Sequence, residues 1–396
     1  MKPLEGIRIL DFSRVLAGPM ATQILAELGA TVTKVERPGG GDESRVFEPR
    51  LPGGESAYFF AFNRGKRSLT LNLKSPKAQQ IAARLAAQHD VVLENFLPGD
   101  MDRFDLGYGK LSALNPGLIY VSNTGFGQTG PYRERAGYDT VFQALSGIMH
   151  LTGHPDTPPA KAGVPIADLT AGLWIAIAIL TGLVGRGRSG KGCHIDLAMM
   201  DVQASLLALA AARLFALDED IGRSGTEHPG RVPSAAFQCR DGGWLHISGS
   251  DQHWGRLCDV LGLSELGADP ALAKNGGRVA NRKRVMDEMR TAIAACERAP
   301  LAEALRAVGI PAGEVNTTRQ ILDDPHMLAR GMVGTFEHPA EGTFKALRTP
   351  VNFEGFDSPE IGCPPLLGAD TETILRDEMN LTDAEIAALR KEGAIG

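Results

Sequence analysis

Cysteine is scarce in this chain, and no two cysteines have the Cys-x-x-Cys spacing of zinc or redox motifs. The five cysteines are odd in number and scattered: Cys193, Cys239, Cys258, Cys296 and Cys363. This pattern predicts free thiols in a reducing cytosol and argues against a disulfide framework. The histidines also lack the spacing of metal ligands, so we expect no metal site.

Signals for export, membrane insertion and nucleic-acid binding are missing as well. The first residues, MKPLEGIRILDF, contain no apolar signal-peptide core. The most apolar run, Leu169–Val184, has 16 residues, fewer than the roughly 20 that span a bilayer. A formal net charge of −6 disfavours nucleic acid as the main partner, because phosphate contacts need a basic surface. We therefore expect a cytoplasmic protein without a membrane or nucleic-acid partner.

The glycine fingerprint of dinucleotide-binding proteins is absent from the first strands, although their pattern suits such a fold. Ile7–Phe12 and the alternating segment Ala30–Glu36 predict two strands, and Ala17–Leu28 between them has helical apolar spacing. This β-α-β order is typical of parallel sheets. The first turn, DFSRVLAGP, contains a single glycine, so Glu36 is not evidence for a ribose-binding acid.

Further strand patterns alternate with helical ones and predict a doubly wound α/β sheet. They cover residues 63–73, 90–95 and 118–123. Arg14, Arg37, Asn95 and Arg103 lie in or near the loops that follow the strands. Such loops meet at the carboxyl edge of a parallel sheet. The cations among them predict a phosphate-bearing ligand laid across that edge.

The composition divides the chain into a large and a small domain. Residues 1–222 predict the first part of a large ligand-binding domain, and the Gly- and Pro-rich segment 223–234 is interpreted as a linker. Residues 235–328 predict a smaller α+β domain. Residues 329–396 then return the chain to the large domain and end in a helix at Asp383–Glu392.

Asp168 stands directly before the most apolar helical run, which ends in GRGRSGKG, a pattern typical of a helix C-terminus. We expect this carboxylate at the N-cap position, held ionised by free backbone N–H groups and the helix dipole. Asp is a preferred N-cap residue, so a purely capping role is one interpretation. An anionic nucleophile that faces a cleft is the other, and the local pattern leaves both open.

Four segments match a known family in order and spacing: GIRILDFSRVLAGPMATQILAELGATVTKVERPGGGD, NRGKRSLTLNLKSP, VVLENFLPGDMDR and PPLLGADT. Together with Asp168, they make the chain resemble the family III CoA transferases over essentially its full length. The resemblance implies a Rossmann-like large domain built from both termini, an inserted small domain and an interlocked homodimer. It also implies coenzyme A thioesters and a carboxylic acid as substrates, with no tightly bound cofactor.

By this resemblance Asp168 matches the catalytic aspartate, which forms covalent intermediates with the acyl group. The positions that match the family's CoA contacts are Leu16, Ala17, Arg37, Leu71, Asn72, Leu73, Lys74, Asn95, Phe96, Leu97 and Arg103. The family often has an arginine where this chain has Leu97, so a polar contact is not expected there.

Two alternatives share the fold that the resemblance implies. The α-methylacyl-CoA racemases use a histidine in a segment similar to AGHDINYLALSG, whereas this chain reads AGYDTVFQALSG. Tyr138 takes the place of that histidine, among the residues expected at the ligand, and a phenol is a poor base at neutral pH. An intramolecular CoA-shifting isomerase is also possible in this fold. A non-catalytic acyl-CoA-binding protein is the alternative from another class.

The resemblance to the dicarboxylate-using branch of the family suggests succinyl-CoA as donor and a dicarboxylic acid as acceptor. A second carboxylate on the acceptor needs a cationic or polar anchor. The candidates are Arg45, His228 and Arg231.

Overall fold

The chain folds into two units in the computed structural model, which describes residues 1–396. The first unit combines Met1–Ile148, Lys161–Ala212 and Pro325–Gly396, and the second combines Met149–Ala160 and Arg213–Asp324. The sequence places the boundaries at 222, 235 and 328 instead. In the structure the segment interpreted as a linker belongs to the second unit. The second unit also includes Met149–Ala160, which lies between two segments of the first unit along the chain.

The first unit is organised around a six-stranded, fully parallel sheet with strand order β3-β2-β1-β4-β5-β6. Its strands are Arg8–Asp11 (β1), Thr31–Glu36 (β2), Arg67–Thr70 (β3), Val91–Glu94 (β4), Ile119–Thr124 (β5) and Cys193–Ala198 (β6). Every residue of β4 and β5 is buried, as is usual for parallel strands covered by helices on both faces. The doubly wound α/β architecture predicted from the sequence is confirmed.

Ten helices follow β1 along the chain up to residue 217, and two of them cross a boundary between the two units. They are Ala17–Glu27 (α1), Ala57–Phe62 (α2), Pro76–Ala86 (α3), Asp100–Arg103 (α4), Tyr108–Leu114 (α5), Asp139–Leu145 (α6), Ile148–Leu151 (α7), Ile166–Ser189 (α8), Met199–Ser205 (α9) and Ala208–Leu217 (α10). Helices α9 and α10 follow each other closely and are bent by 64° at the break between them.

Helices pack on both faces of the sheet and bury two apolar cores. On one face, Leu10 and Val92 pack with the C-terminal residues Ile386 and Leu389. On the other face, α1 and α8 pack against each other and against Val121 of β5. The C-terminal helix expected from the sequence thus completes the core of the first unit.

Helix α8 is longer than its apolar run suggested. Ala171, Ile175 and Ile179 are buried against the sheet, and Gly190 ends the helix in the left-handed region at φ 69°. The helix has 24 residues rather than 16, because it begins three residues before the run, at Ile166, and the GRGRS segment continues it by five. By length and composition it is long and apolar enough to cross a membrane, with a third of its most apolar window buried. The length argument against a membrane span was therefore wrong.

The second unit is an α+β structure, in agreement with the predicted fold class. Its three-stranded antiparallel sheet contains Ser234–Gln238 (β7), Trp244–Ser248 (β8) and Ala312–Glu314 (β9). Its helices are Trp254–Leu261 (α11), Ser264–Ala268 (α12), Asn275–Ala280 (α13), Arg282–Ala294 (α14), Arg298–Ala307 (α15) and Thr318–Leu322 (α16). Phe237, Leu245, Trp254 and Met286 belong to its buried core.

The remaining elements return the chain to the first unit. They are Pro325–Ala329 (α17), Val333–His338 (β10), Gly342–Leu347 (β11), Thr371–Asp377 (α18) and Asp383–Lys391 (α19). Strands β10 and β11 form a separate antiparallel hairpin, whose Phe336 packs against Phe59 and Phe60 of α2.

Candidate active site

A cavity of about 180 Å³ opens at the carboxyl edge of the large sheet. Its walls come from the segments that follow β1, β2, β3 and β4, and they include Phe12, Arg37, Leu71 and Phe96. The sheet order reverses between β1 and β4. Such a switch point is where open α/β sheets bind their ligands.

The cavity has aromatic and aliphatic walls and a cationic rim. Arg37 and Lys74 are exposed at the rim, and neither forms an ion pair with a carboxylate of the chain. Arg14 pairs with Glu43 at 2.7 Å, and its guanidinium carbon lies 4.7 Å from the centre of the Phe96 ring. An apolar cleft with free cations at its edge suits a flat base linked to phosphates.

The structure brings together about half of the residues expected to contact CoA. Those that line the cavity are Arg37, Leu71, Asn72, Leu73, Lys74 and Phe96. Leu97, Arg103 and Tyr138 lie outside the cavity lining. Arg103 forms an ion pair with Asp100, and Tyr138, which directly precedes α6, is 79% exposed.

The turn before α1 is held in a strained conformation. Val15, a β-branched residue, has a φ of 71°, which is a genuine outlier for this residue type. Its N–H donates to both carboxylate oxygens of Asp42 at 3.2 Å. Asn95 exchanges two hydrogen bonds of 2.9 Å with the backbone of Arg14. Asn95 therefore fixes the turn that leads to the buried pair Leu16 and Ala17.

Asp168 lies in the first turn of α8, while the N-cap residue is Pro165. The expected N-cap position was therefore wrong. The helix end is capped instead by Asp139 of α6, whose Oδ1 accepts the N–H groups of Ala167 at 2.8 Å and Asp168 at 3.2 Å. Gln143 donates to the other oxygen of Asp139 at 2.6 Å.

Burial and the negative charge of Asp139 raise the pKa of Asp168 to about 7. We expected the helix end to hold this carboxylate ionised by stabilising its charge. The raised pKa goes against that expectation, because burial disfavours the charge, and Asp139 occupies the free N–H groups and adds a like charge. A carboxylate with a raised pKa is more basic than usual and still ionises near neutral pH, which suits a nucleophile.

Tyr58 is a second neighbour that the sequence did not reveal. It lies on α2, with its ring edge-on to Phe47 and Phe62 at 5.3 and 5.5 Å. Burial and the nearby carboxylates of Asp168, Asp42 and Asp139 raise the pKa of its phenol. Tyr58 therefore stays protonated and keeps a hydrogen-bond donor in the neighbourhood of Asp168.

The three candidates for an acceptor anchor differ in their availability. Arg45 is buried, forms two hydrogen bonds of 2.7 and 2.8 Å with Glu36, and lies 3.7 Å over the Phe59 ring. It is therefore not free to bind a substrate, contrary to expectation. His228 and Arg231 are exposed in the second unit and line one cavity together with Asn275.

The five cysteines are all free thiols. No group of three or more His, Cys, Asp or Glu side chains is arranged to hold a metal ion.

The fold and this site define a doubly wound α/β protein with an apolar, cation-rimmed cleft at its sheet edge and a half-buried carboxyl group of raised pKa. Residues 4–371 match the family described as CoA-transferase family III. The chain belongs to that family. It is a CoA transferase, so the transferase interpretation of the sequence is confirmed over the racemase, isomerase and binding-protein alternatives.

Relatives and solved structures cover nearly the whole chain. It is 39% identical over 395 residues to the succinyl-CoA:glutarate CoA-transferase of Mus musculus, covering 100% of this chain and 91% of the relative. It is 40% identical over 355 residues to the succinate–glutarate CoA-transferase of Agrobacterium fabrum, covering 88% and 89%. A CAIB/BAIF family protein from Brucella suis superposes with a TM-score of 0.85 at 40% identity, covering 96% and 99% of the two chains.

Proposed function

We propose that this CoA transferase moves CoA from succinyl-CoA to a dicarboxylic acid of the size of glutarate, with Asp168 as the covalent carrier. The observation that carries the proposal is a half-buried carboxyl group with a pKa raised to about 7 and no cation to neutralise it. The choice of donor and acceptor is supported by relatives that are named for succinyl-CoA and glutarate.

The reaction begins with attack of the ionised Asp168 on the thioester carbonyl carbon. A carbon–oxygen bond forms, the carbon–sulfur bond breaks, and CoA leaves as thiolate from a mixed anhydride of succinate and Asp168. The thiolate then attacks the aspartyl carbonyl, which forms an aspartyl-CoA thioester and releases succinate. This splits one difficult exchange into easier covalent steps.

The acceptor acid reverses the sequence. Its carboxylate attacks the aspartyl thioester and expels CoA thiolate, which leaves a mixed anhydride of the acceptor and Asp168. The thiolate attacks the acceptor carbonyl of that anhydride, and Asp168 departs as a free carboxylate. The net reaction exchanges succinyl-CoA and glutarate for succinate and glutaryl-CoA, with no other reactant consumed.

Two neighbours support these steps in the proposal. Asp139 fixes the N-terminus of α8 and so orients the backbone that bears Asp168. Tyr58 keeps its proton because its pKa is raised, so its O–H is available to stabilise an oxyanion that develops nearby.

The cavity at the sheet edge is the proposed site for the nucleotide end of CoA. Arg37 and Lys74 are its free cations, and the aromatic ring of Phe96 forms part of its wall. The other positions assigned by resemblance stay predictions: Leu16, Ala17, Asn95, Leu97, Arg103 and Tyr138. His228 and Arg231 stay predictions for the anchor of the acceptor's second carboxylate.

Trapping the carrier tests the proposal. The enzyme is incubated with succinyl-CoA and then treated with borohydride, which reduces an aspartyl thioester to an alcohol, or with hydroxylamine, which gives a hydroxamate. Peptide mass spectrometry should find the change on Asp168 and leave Asp139 unmodified as an internal control. A label on any other carboxyl group, or none in an active preparation, would contradict the assignment.

We further propose that the protein is a cytosolic homodimer. The outer face of α8 presents Leu173, Trp174 and Ile177 with 46–49% of their surface exposed, which is unusual for large apolar side chains on a monomer. A second copy covers this face in the proposal. Light scattering coupled to size exclusion should give twice the chain mass of 42.2 kDa, and Trp174→Glu should shift the protein towards the monomer. A monomeric wild-type protein would exclude it.

A further inference from the structure

The second unit contains a cavity of about 600 Å³ that has no role in the proposed reaction. Its lining residues are His154, Pro155, Arg223, Ser224, Thr226, Glu227, Pro229, Ala236, Trp244, Arg282 and Arg290. Neither Asp168 nor the residues of the proposed CoA cleft belong to it. It is also distinct from the cavity that His228 and Arg231 line.

Three guanidinium groups and one carboxylate line this cavity. Glu227 accepts from Arg282 at 3.1 Å through one oxygen and from Arg290 at 2.6 Å through the other. Arg223 donates to the backbone carbonyls of His150 and His154, at 3.3 and 3.2 Å, and has no carboxylate partner. The lining therefore has two more positive than negative charges.

One acidic neighbour outside the lining reduces this excess. Asp287 accepts from Arg290 at 2.8 Å, but it also pairs with Lys283 at 2.6 Å. The side chain of Trp244 is 43% exposed and supplies an apolar wall. The Glu227 carboxylate thus lies between two guanidinium groups, in the position that an anionic ligand would take.

We propose that this cavity binds a small dianion, either a dicarboxylate or inorganic phosphate, in competition with Glu227. Planar guanidinium groups bind carboxylate and phosphate oxygens in pairs, and Arg223 supplies the cation that Glu227 does not reach. Arg282 also donates to the backbone carbonyls of His228 and Pro229, at 3.1 and 2.6 Å. An occupant that displaces Glu227 therefore removes the ion pairs of Glu227 with Arg282 and Arg290, and leaves the bonds from Arg282 to His228 and Pro229 to hold this segment.

Calorimetric titration of the full-length protein, in the absence of any acyl-CoA, tests the site. Inorganic phosphate and glutarate are titrated separately, and the first cleft is weakened in all samples by Arg37→Gln. Arg290→Gln should weaken binding to the cavity about tenfold, because one charge-assisted pair is lost. Glu227→Gln should tighten binding, because it removes the internal competitor.

Arg284→Gln is the matched control. Arg284 is on the same helix, is exposed to the same 50% as Arg290, and pairs with Asp269 and Glu288 outside the cavity. Binding should be unchanged in this variant. Since Glu227→Gln must tighten binding, a loss of folding in Arg290→Gln does not leave the proposal without a test.

The anion whose affinity changes in the Arg290→Gln and Glu227→Gln variants is identified as the occupant of the cavity. Dependence for both anions, for glutarate alone or for phosphate alone supports the site and names its occupant. Equal affinities in the Arg290→Gln, Glu227→Gln and Arg284→Gln proteins would overturn it. Because no turnover is measured, the result is independent of whether Asp168 is the covalent carrier.

Discussion

Two groups of buried carboxyl side chains in the first unit behave in opposite ways. Asp11, Glu36 and Asp42 have lowered pKa values, that of Asp42 to about 2, because lysine and arginine side chains outweigh the effect of burial. Asp168 has no such cation, and burial together with Asp139 raises its pKa to about 7. A neighbouring cation thus separates the carboxyl groups with lowered pKa values from Asp168. Glu94, which accepts the N–H of Phe96 at 2.8 Å, also has its pKa raised to about 7 by burial, so a missing cation alone does not identify a reactive group.

The carboxyl groups with lowered pKa values belong to a network of paired charges beside the proposed CoA cleft. Lys34 lies 2.8 Å from Asp42, Lys66 lies 3.3 Å from Asp11, and Arg45 lies 2.7 Å from Glu36. Burial lowers the pKa of Lys66 to about 7 despite the attraction of Asp11. Removal of one member leaves a buried charge without its partner, which is strongly destabilising.

Asp168→Asn should give the largest change in activity. The amide is not a nucleophile, so kcat for CoA exchange should fall by about 10⁴-fold or more, as for other covalent catalysts that lose the attacking group. Exchange of labelled succinate into succinyl-CoA is the measurement. Retention of more than a small fraction of wild-type kcat would show that Asp168 is not the carrier.

The same variant should be more stable than the wild type at alkaline pH. The pKa of Asp168 is higher in the folded than in the unfolded chain, so the wild type loses stability as pH rises through the window from about 4 to 7. Asp168→Asn lacks this loss and should gain about 2 kcal/mol at pH 8. Urea unfolding at pH 5 and pH 8 measures the difference. A gain that is equal at both values would contradict the raised pKa.

Glu36→Gln should destabilise the protein, in contrast to Asp168→Asn, because Glu36 belongs to the network of paired charges. It leaves the guanidinium of Arg45 buried without its carboxylate, and it should lower the free energy of unfolding by about 3 kcal/mol. Glu43→Gln is the control, because its pair with Arg14 is about 40% exposed and its loss should change stability by less than about 1 kcal/mol. Similar losses in both variants would remove the distinction between buried and exposed pairs.

The sheet could be predicted from the sequence, but the electrostatics of the site could not. Apolar runs such as Ile7–Phe12 and Leu118–Asn123 are local signals, and they coincide with β1 and β5 to within two residues at either end. The cap of α8 is not a local signal, since Asp139 is far from Asp168 along the chain. The ion pair of Arg45 with Glu36 is not a local signal either, because a glycine-rich turn separates the two residues and its conformation cannot be read from the sequence. Arg45 was therefore expected to be available to a substrate.

The proposed CoA cleft lies between these two cases, since the sequence predicted some of its lining residues and not others. Strand ends predicted that Arg37 would lie at the sheet edge, and the family motif predicted Leu71–Lys74, and both line the cavity. Arg103 was assigned by the same reasoning, yet a short helix, α4, pairs it with Asp100 outside the lining. Tyr58 had no signal at all, because an aromatic residue in an apolar helix is normally part of a core.

The pH profile of kcat/KM should show how Asp139 contributes to the reactive group. The carboxylate of Asp168 must be ionised to attack, so kcat/KM should rise with pH and level off above about 7. Asp139→Asn removes the like charge and should lower the midpoint by about one pH unit. Gln143 loses an acceptor and stability falls, but a loss of stability does not move the midpoint. An unchanged midpoint would leave burial as the sole cause of the raised pKa.

Arg37→Gln should affect the binding of acyl-CoA without changing the chemical step. Removal of one free cation from the rim should raise KM for succinyl-CoA about five- to tenfold, with kcat unchanged, because the phosphates are equally bound in the ground and transition states. The increase should shrink at high salt. Arg240→Gln is the matched control, since Arg240 is paired with Glu297 at 2.7 Å in the second unit and does not line the cavity. An equal increase in KM for both variants would show that the cavity does not define the CoA contacts.

The smallest effect is expected from the contact that holds one wall of this cleft. The N–H of Asn72 donates to the carbonyl of Ala394 at 2.9 Å, and its side-chain amide donates to the carbonyl of Gly393 at 3.0 Å. Asn72→Ala removes this bond and the one that its Oδ1 accepts from the N–H of Lys74 at 3.2 Å, and it keeps the backbone bond to Ala394. Since both lost bonds are exposed, KM for succinyl-CoA should rise only about threefold. Asn115→Ala is the control, because its amide donates to His89 away from the cleft. If kcat falls while KM is unchanged, the wall contacts the reacting end of the substrate rather than its nucleotide, and the separation between binding and reactive regions is lost.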